Sequence, residues 1–197
     1  MKTKAKLNRN SFLQAPLLRA SEARAAGIEP AMLAYWEKKG ILERMNRGLY
    51  RNKQIQSDIP FEWEDLVYTT LSIPHGVVAG ISALALYGLT EEIPRFHWIA
   101  VPNGTSVVDH PNTKILRLRN HALGITQIKV GSIEVPIYDI ERTLVDAFRL
   151  LSIEAAIKAL KEAFKPQQKR KPDLRKISAY AKKLRVDIQP YILMVTT

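Results

Sequence analysis

The chain has 197 residues, of which 46% are hydrophobic and 25% are charged, and its formal net charge is +11. This balance is typical of a folded protein, and the length allows one domain or two modest ones. The absence of cysteine excludes a disulfide framework and a thiolate metal site. The start of the chain lacks the apolar run of a signal peptide, and the longest apolar stretch, residues 77–89, is too short to span a bilayer. We therefore expect a cytoplasmic protein with no membrane partner.

Residues 17–53 predict a helix-turn-helix followed by a β-hairpin. A packing helix is expected just before them, over residues 11–18. Ser21 is then placed to cap a short helix, because its hydroxyl can accept a bond from a first-turn N–H. Gly27 ends that helix, since glycine tolerates the left-handed conformation just past a helix end. Pro30 occupies the first position of a second helix, where a missing N–H costs nothing.

The second helix has two faces of different character. Met32, Leu33 and Trp36 fall at helical spacing and would pack against the first helix. The opposite face would be exposed, and it consists of Ala31, Ala34, Tyr35 and Lys38. Gly40 ends the helix.

A basic hairpin follows the second helix. Apolar and charged residues alternate on either side of Gly48, which predicts paired strands over residues 41–45 and 49–51. A helix that can enter a major groove beside a basic hairpin is a DNA-reading geometry. We expect the exposed helix face to lie in the major groove of duplex DNA. Contacts to the backbone or the minor groove are expected from Arg44, Asn46, Arg47 and Arg51. The alternative is a small helical subdomain with an ordinary solvated rim.

The rest of the chain predicts a second domain. Residues 54–60 have the polar and proline punctuation of a linker, so we place the domains at 1–55 and 56–197. The expected helices cover residues 61–72, 77–89, 140–151 (capped by Asp139), 153–164 (after Ser152) and 174–184 (capped by Asp173). The expected strands cover residues 96–101, 114–118, 125–130 and 133–137. The fold class is α+β, with a winged helix-turn-helix followed by helices and a mostly antiparallel sheet.

Charge is distributed unevenly along the chain. Residues 1–53 carry twelve basic and four acidic residues, residues 54–148 carry six and eleven, and residues 149–197 again carry twelve and four. Basic segments attract phosphate and release its counterions. The N-terminal segment coincides with the motif and is the expected DNA-binding part. For the C-terminal basic segment, DNA contact and simple solubility remain equally open.

No catalytic, metal or cofactor site is predicted. The four histidines are scattered without a second ligand at metal-binding spacing, and there is no glycine-rich phosphate loop or nucleophile elbow. Arg142 and Asp146 are spaced i, i+4 and can pair on one helix face. A structural ion pair is the preferred interpretation, because it needs no further partner.

The string GIEPAMLAYWEKKGILERMNRGLYR resembles the N-terminal winged helix of AbiEi-type antitoxins of bacterial type IV toxin–antitoxin systems. The strings GVVAGISALALYGL, FHWIAVP and YDIERTLVDAF extend the resemblance, in order, over residues 17–165. It implies a repressor that binds inverted repeats in the promoter of its own operon. It also implies a role in abortive infection and phage defence, as an antitoxin that counteracts a nucleotidyltransferase-type toxin without a stable complex. The second helix is poorer in polar side chains than a typical recognition helix.

Two other functions remain as alternatives to DNA binding. In the first, the chain is a protein-binding module whose acidic middle docks a basic partner, with the winged helix as a scaffold. In the second, it is a nuclease or nucleotidyltransferase, which the lack of grouped acidic residues disfavours. The sequence leaves open the operator, the toxin and the oligomeric state, for which a monomer that binds cooperatively is one option.

Overall fold

The structure is a computed structural model that describes residues 12–168 and 170–196. It divides into two compact units. The first extends to residue 72 and includes residues 130–133, and the second comprises residues 73–129 and those from 134 onward. The first unit extends beyond the predicted DNA-binding domain of residues 1–55, because the helix at 61–72 packs on the N-terminal hairpin. The division into functional domains stays a prediction.

Over residues 17–72, the first unit contains three helices and a three-stranded sheet. Its elements are β1 (Leu17–Arg19), α1 (Ala20–Ala25), α2 (Pro30–Lys38), β2 (Leu42–Asn46), β3 (Leu49–Asn52) and α3 (Phe61–Ser72). The strand order is β1-β3-β2, and both pairings are antiparallel. The core between the sheet and the first two helices consists of Phe12, Leu18, Ala23, Ile28, Leu33, Trp36, Leu42 and Tyr50. The two predicted helices and the hairpin are therefore confirmed.

The start of α1 differs from the prediction. Leu17–Arg19 form a strand paired with β3, so the predicted helix over residues 11–18 is wrong at its end, and residue 11 lies outside the described residues. Helix α1 begins directly after that strand, and its backbone is anchored by a bond of 2.8 Å from the Ala20 N–H to the Gly48 carbonyl. Ser21 consequently lies inside the helix and does not cap it. Strand pairing, which local sequence does not reveal, sets this boundary.

The second unit combines a five-stranded sheet with five helices among its described residues. Its strands are β4 (Val77–Val78), β5 (His97–Pro102), β6 (Thr113–Leu118), β7 (Ile125–Val130) and β8 (Ile133–Tyr138). Its helices are α4 (Gly80–Leu86), α5 (Ile140–Leu150), α6 (Ile153–Phe164), α7 (Leu174–Leu184) and α8 (Gln189–Thr196). The mixed α+β class is confirmed. Helix α8 falls in a segment whose structure the sequence left open.

The sheet of the second unit is mixed, so the predicted mostly antiparallel sheet is wrong. The strand order is β6-β5-β4-β8-β7, in which β5 pairs with β6 and β4 pairs with β8 in parallel, while β4 and β5 are antiparallel. Parallel neighbours need a connection that returns the chain to the same end of the sheet. Residues 103–112 provide it between β5 and β6, and β4 is far from β8 in the sequence.

The predicted helix over residues 77–89 is split. Val77 and Val78 form β4, Ala79 stays extended, and Gly80 begins α4 with a φ of +53°. A Cβ atom on Gly80 would lie 2.4 Å from Trp98 Cε3. The apolar composition of the segment suits both a buried strand and a buried helix, and the pairing of Val77 and Val78 with β5 and β8 makes its start a strand.

The remaining helices agree with their predicted spans to within one residue. The predicted caps are present: Asp139 accepts from the Arg142 N–H, and the Asp173 carboxylate from two first-turn N–H groups. Ser152, after which a helix was predicted, also caps it by accepting from the Ala155 N–H. Phe61, the first residue of α3, is 92% exposed.

Arg142 and Asp146 form a fully buried ion pair, as predicted. Arg142 Nε lies 2.8 Å from Asp146 Oδ2, and both side chains are 0% exposed. Arg142 Nη1 also donates to the Asn120 and Leu123 carbonyls, at 3.0 and 2.8 Å. The guanidinium group stacks on the Tyr138 ring, with Cζ 4.5 Å from the ring centroid. Helix α5 is thereby tied to the turn that precedes β7.

Candidate nucleic-acid interface

Helix α2 presents the four predicted contact residues on one face. Pro30 stands at its first position, after an extended Glu29, and the helix continues from there without a side-chain cap. Leu33 and Trp36 are buried against the rest of the first unit. Ala31, Ala34, Tyr35 and Lys38 are exposed, and Tyr35 retains 52% of its accessible surface. Because the buried residues follow the helical period, the opposite face of α2, which was predicted to contact DNA, is exposed to solvent.

The same face carries a shallow depression of about 350 Å³ beside the helix start. Its lining consists of Ile28, Glu29, Ala31, Met32 and Tyr35. Four of these side chains are apolar and one is a carboxylate. Met32 packs on the core of this unit, as predicted, but it is only partly buried and also forms a wall of this depression. The spacing of residues 28, 31, 32 and 35, which is that of a helical stripe, is the signal that could have revealed it.

Lys39 is a second residue that sequence reasoning left out. It follows α2 directly, it is exposed, and its Nζ lies 5.7 Å from the centroid of the Tyr35 ring. An ammonium group at this distance is attracted to the face of an aromatic ring. Lys38 and Lys39 together make the end of the exposed α2 face cationic. The Lys-Lys pair was visible in the sequence, and the i, i+4 spacing from Tyr35 was the signal.

The hairpin places Arg44 on the side of the sheet that faces the helices. Arg44 is paired across the strands with Tyr50 and shares a strand face with Leu42, and both of these neighbours belong to the core under α1 and α2. Arg44 itself is exposed, and so is Arg47 in the turn. Asn46 pairs through its backbone with β3 after a register shift, and its side chain lies outside the described residues.

Arg51 lies on the opposite face of the hairpin. Its Nη2 atom is 2.7 Å from Glu43 Oε2, and its Nη1 atom is 3.3 Å from Glu64 Oε1 on α3. The hydrogen bond to Glu43 raises the pKa of Arg51. The structure therefore does not bring Arg51 together with Arg44, and a phosphate would have to compete with two carboxylates for it. Its contact with DNA stays a prediction that this geometry disfavours.

Residues 11–53 match a family model described as a transcriptional regulator, AbiEi antitoxin. This segment is similar to that family. No curated protein matches the chain at a significant level. The AbiEi-type segment includes α1, α2 and all three strands of the first sheet. The resemblance inferred from the sequence is thus confirmed for this segment, and its extension to residue 165 stays a prediction.

The family description is that of a regulator and antitoxin, which is not an enzyme class. Within residues 12–168 and 170–196, no three histidine, aspartate or glutamate side chains are grouped so that they could hold a metal ion. In the same residues, no helix has both the length and the apolar character needed to cross a membrane. The AbiEi-type segment exposes the apolar face of α2, with Lys38 and Lys39 at the end of the helix and Arg44 and Arg47 on the hairpin. The carboxylates of Glu29 and Glu37 are exposed as well.

Proposed function

We propose that the AbiEi-type segment is a winged helix that binds duplex DNA, and that the chain represses transcription of its own operon by occupying inverted repeats in the promoter. The observation that carries this proposal is the exposed face of α2, next to a hairpin whose Arg44 shares the helix side of the sheet. A helix in the major groove with flanking cations on the phosphates is the usual arrangement for such motifs. The family description as a transcriptional regulator supports it.

The proposed contacts fall into two groups. The exposed face of α2, with Ala31, Ala34, Tyr35 and Lys38, would lie against base edges in the major groove. Arg44, Asn46 and Arg47 would bind the phosphate backbone or the minor groove, which fixes the position of the protein but carries less sequence information. We leave Arg51 out of the second group because of its ion pairs with Glu43 and Glu64.

The test is a fluorescence-anisotropy titration against the promoter duplex and a scrambled duplex at several salt concentrations. Arg44→Ala/Arg47→Ala should weaken binding to both duplexes and reduce the slope of log K against log salt by about one unit for each lost phosphate contact. The control is Arg117→Ala/Arg119→Ala, which removes the same charge from exposed positions at the end of β6, in the acidic middle of the chain. Equal losses in the two double variants would mean that net charge alone acts. Unchanged binding of the hairpin variant would refute the proposed interface and favour the protein-binding alternative.

We also propose that the chain neutralises a nucleotidyltransferase-type toxin in the cytoplasm without forming a stable complex with it. The family description as an antitoxin supports the general role. The type of toxin and the link to abortive infection rest on the sequence resemblance. Co-expression with a nucleotidyltransferase encoded beside this chain should restore growth, while size-exclusion chromatography of the two purified proteins should show separate peaks. A failure to restore growth would refute the proposed partner, and a co-eluting complex would refute the proposed mode of action.

A further inference from the structure

We propose that the exposed face of α2 reads the 5-methyl groups of thymine, so that the duplex bound by this chain has A·T pairs opposite the start of that helix. This inference deepens the proposed DNA-binding function and rests on it. It concerns which bases are recognised, whereas the proposed function concerns whether DNA is bound at all.

The first argument comes from the side chains that the helix offers. Over its first two turns, the exposed face presents the methyl groups of Ala31 and Ala34 and the ring of Tyr35. Arginine and lysine recognise guanine through its N7 and O6 atoms, and asparagine and glutamine recognise adenine. None of these residues lies on that part of the face. The thymine methyl is the group on the floor of the major groove that is recognised by apolar contact.

The second argument comes from the shape of the surface. The depression of about 350 Å³ is walled by Ile28, Met32 and Tyr35, with Ala31 between them. Because alanine is small, the DNA can approach this part of the helix closely, and methyl groups of neighbouring thymines can enter the depression. Burying one methyl group from water corresponds to about a fourfold gain in affinity. With two or three such contacts, the difference in affinity between the promoter and random DNA would be large enough to measure.

The third argument comes from charge. Glu29 is the single carboxylate among the residues that line the depression. It can accept a hydrogen bond from the adenine or cytosine amino group, whereas it would be repelled by the two acceptors of guanine. Lys38 and Lys39 are exposed at the end of the same helix, and Arg44 is exposed on the helix side of the sheet. Cations beside an apolar surface complement the phosphates and the methyl-bearing floor of a major groove better than they complement an uncharged protein surface.

The experiment compares two forms of the same promoter duplex, one made with thymine and one in which uracil replaces every thymine. Uracil keeps the base pair and lacks only the methyl group. A scrambled duplex of the same composition is prepared in both forms. The wild-type chain should bind the thymine promoter at least fourfold more tightly than the uracil promoter, which is the estimate for a single methyl contact. It should bind the two scrambled forms nearly equally.

Variants locate the effect on the protein. Tyr35→Ala should bring the thymine-to-uracil ratio close to one and leave the salt slope unchanged, because no phosphate contact is lost. Tyr35→Phe keeps the ring and should keep the ratio. Arg44→Ala should weaken binding to both promoter forms by the same factor, so that the ratio stays at the wild-type value. Circular dichroism of each variant verifies that the fold is intact.

The outcomes separate this inference from the proposed function. If the promoter is preferred over the scrambled duplex but the thymine and uracil forms bind equally, methyl readout is refuted and DNA binding stands. A ratio that survives in Tyr35→Ala would place the methyl contact elsewhere and would also refute the assignment to α2. If the thymine promoter itself is not preferred, the proposed function fails, and this inference fails with it.

Discussion

The buried Arg142–Asp146 pair allows a quantitative test of how the second unit is held together. We consider Arg142→Met, which keeps a long side chain of similar volume and removes the charge and all donors. Asp146 would retain one partner, Arg149, whose Nη1 atom lies 2.6 Å from Asp146 Oδ1 and whose side chain is 31% exposed. The Asn120 and Leu123 carbonyls would lose the hydrogen bonds that Arg142 donates to them.

The magnitude follows from these contacts. Breaking a buried pair by removing one partner costs about 3–5 kcal/mol, and the remaining Arg149 contact places this case near 3 kcal/mol. Each carbonyl that loses its hydrogen bond adds about 1 kcal/mol. We therefore expect Arg142→Met to lower the free energy of unfolding by about 4–5 kcal/mol. Arg142→Met/Asp146→Leu leaves no buried charge without a partner, so it should cost only about 2–3 kcal/mol, mostly from the carbonyls.

The assay is a double-mutant cycle measured by urea denaturation, followed by circular dichroism and tryptophan fluorescence. Asp146→Leu alone leaves the Arg142 charge buried and should cost about as much as Arg142→Met. The single losses then sum to about 8–10 kcal/mol, so the double variant should be more stable than that sum predicts by about 5 kcal/mol or more. Additive losses, or a loss below about 1 kcal/mol in Arg142→Met, would refute the reasoning.

Thermal unfolding tests two further pairs of positions. Gly80→Ala meets both a positive φ and the Trp98 ring, so it should cost about 3 kcal/mol, whereas Gly88→Ala meets only the positive φ and should cost about 1 kcal/mol. Equal losses of stability in the two glycine variants would show that the Trp98 ring can move aside at no cost. Ser152→Ala removes a helix cap and should cost about 1 kcal/mol, whereas Ser21→Ala lies inside α1 and should be neutral or slightly stabilising. A loss in the second variant as large as in the first would restore the capping role.

Helix ends were predictable where the cause is local. Asp139, Ser152 and Asp173 each cap a helix with a hydrogen bond to an N–H two or three residues ahead, so the sequence around the cap contains everything that the interaction needs. Ser21 has the same chemistry, but the residue before α1 is committed to β1 through its pairing with β3. The partner strand lies about thirty residues away in the sequence. A capping prediction uses only the few residues around the helix start, so it could not include this pairing.

Strand direction and segment type were less predictable in the second unit. The composition of residues 77–89 suits a buried helix, and the strand β4 at its start depends on pairing with β5 and β8, which are distant in the sequence. Similarly, hydrophobic alternation identifies a strand but does not say which strand will lie beside it or in which direction. Hence β5 to β8 were found, while the short β4 and the parallel pairing of β5 with β6 were not.

The candidate interface shows the same limit on a smaller scale. Charge alone places Arg44 and Arg51 in one basic hairpin. Strand alternation, read from the pairing of Arg44 with Tyr50 and of Glu43 with Arg51, puts the two arginines on opposite faces. The face with Arg44 continues toward α2, and the face with Arg51 is neutralised by carboxylates, one of them on α3. The basic surface that remains for a nucleic acid is therefore smaller than the sequence indicates, and it lies on only one face of the hairpin. For this reason the apolar centre of the α2 face, rather than the number of cations, is expected to determine which DNA is bound.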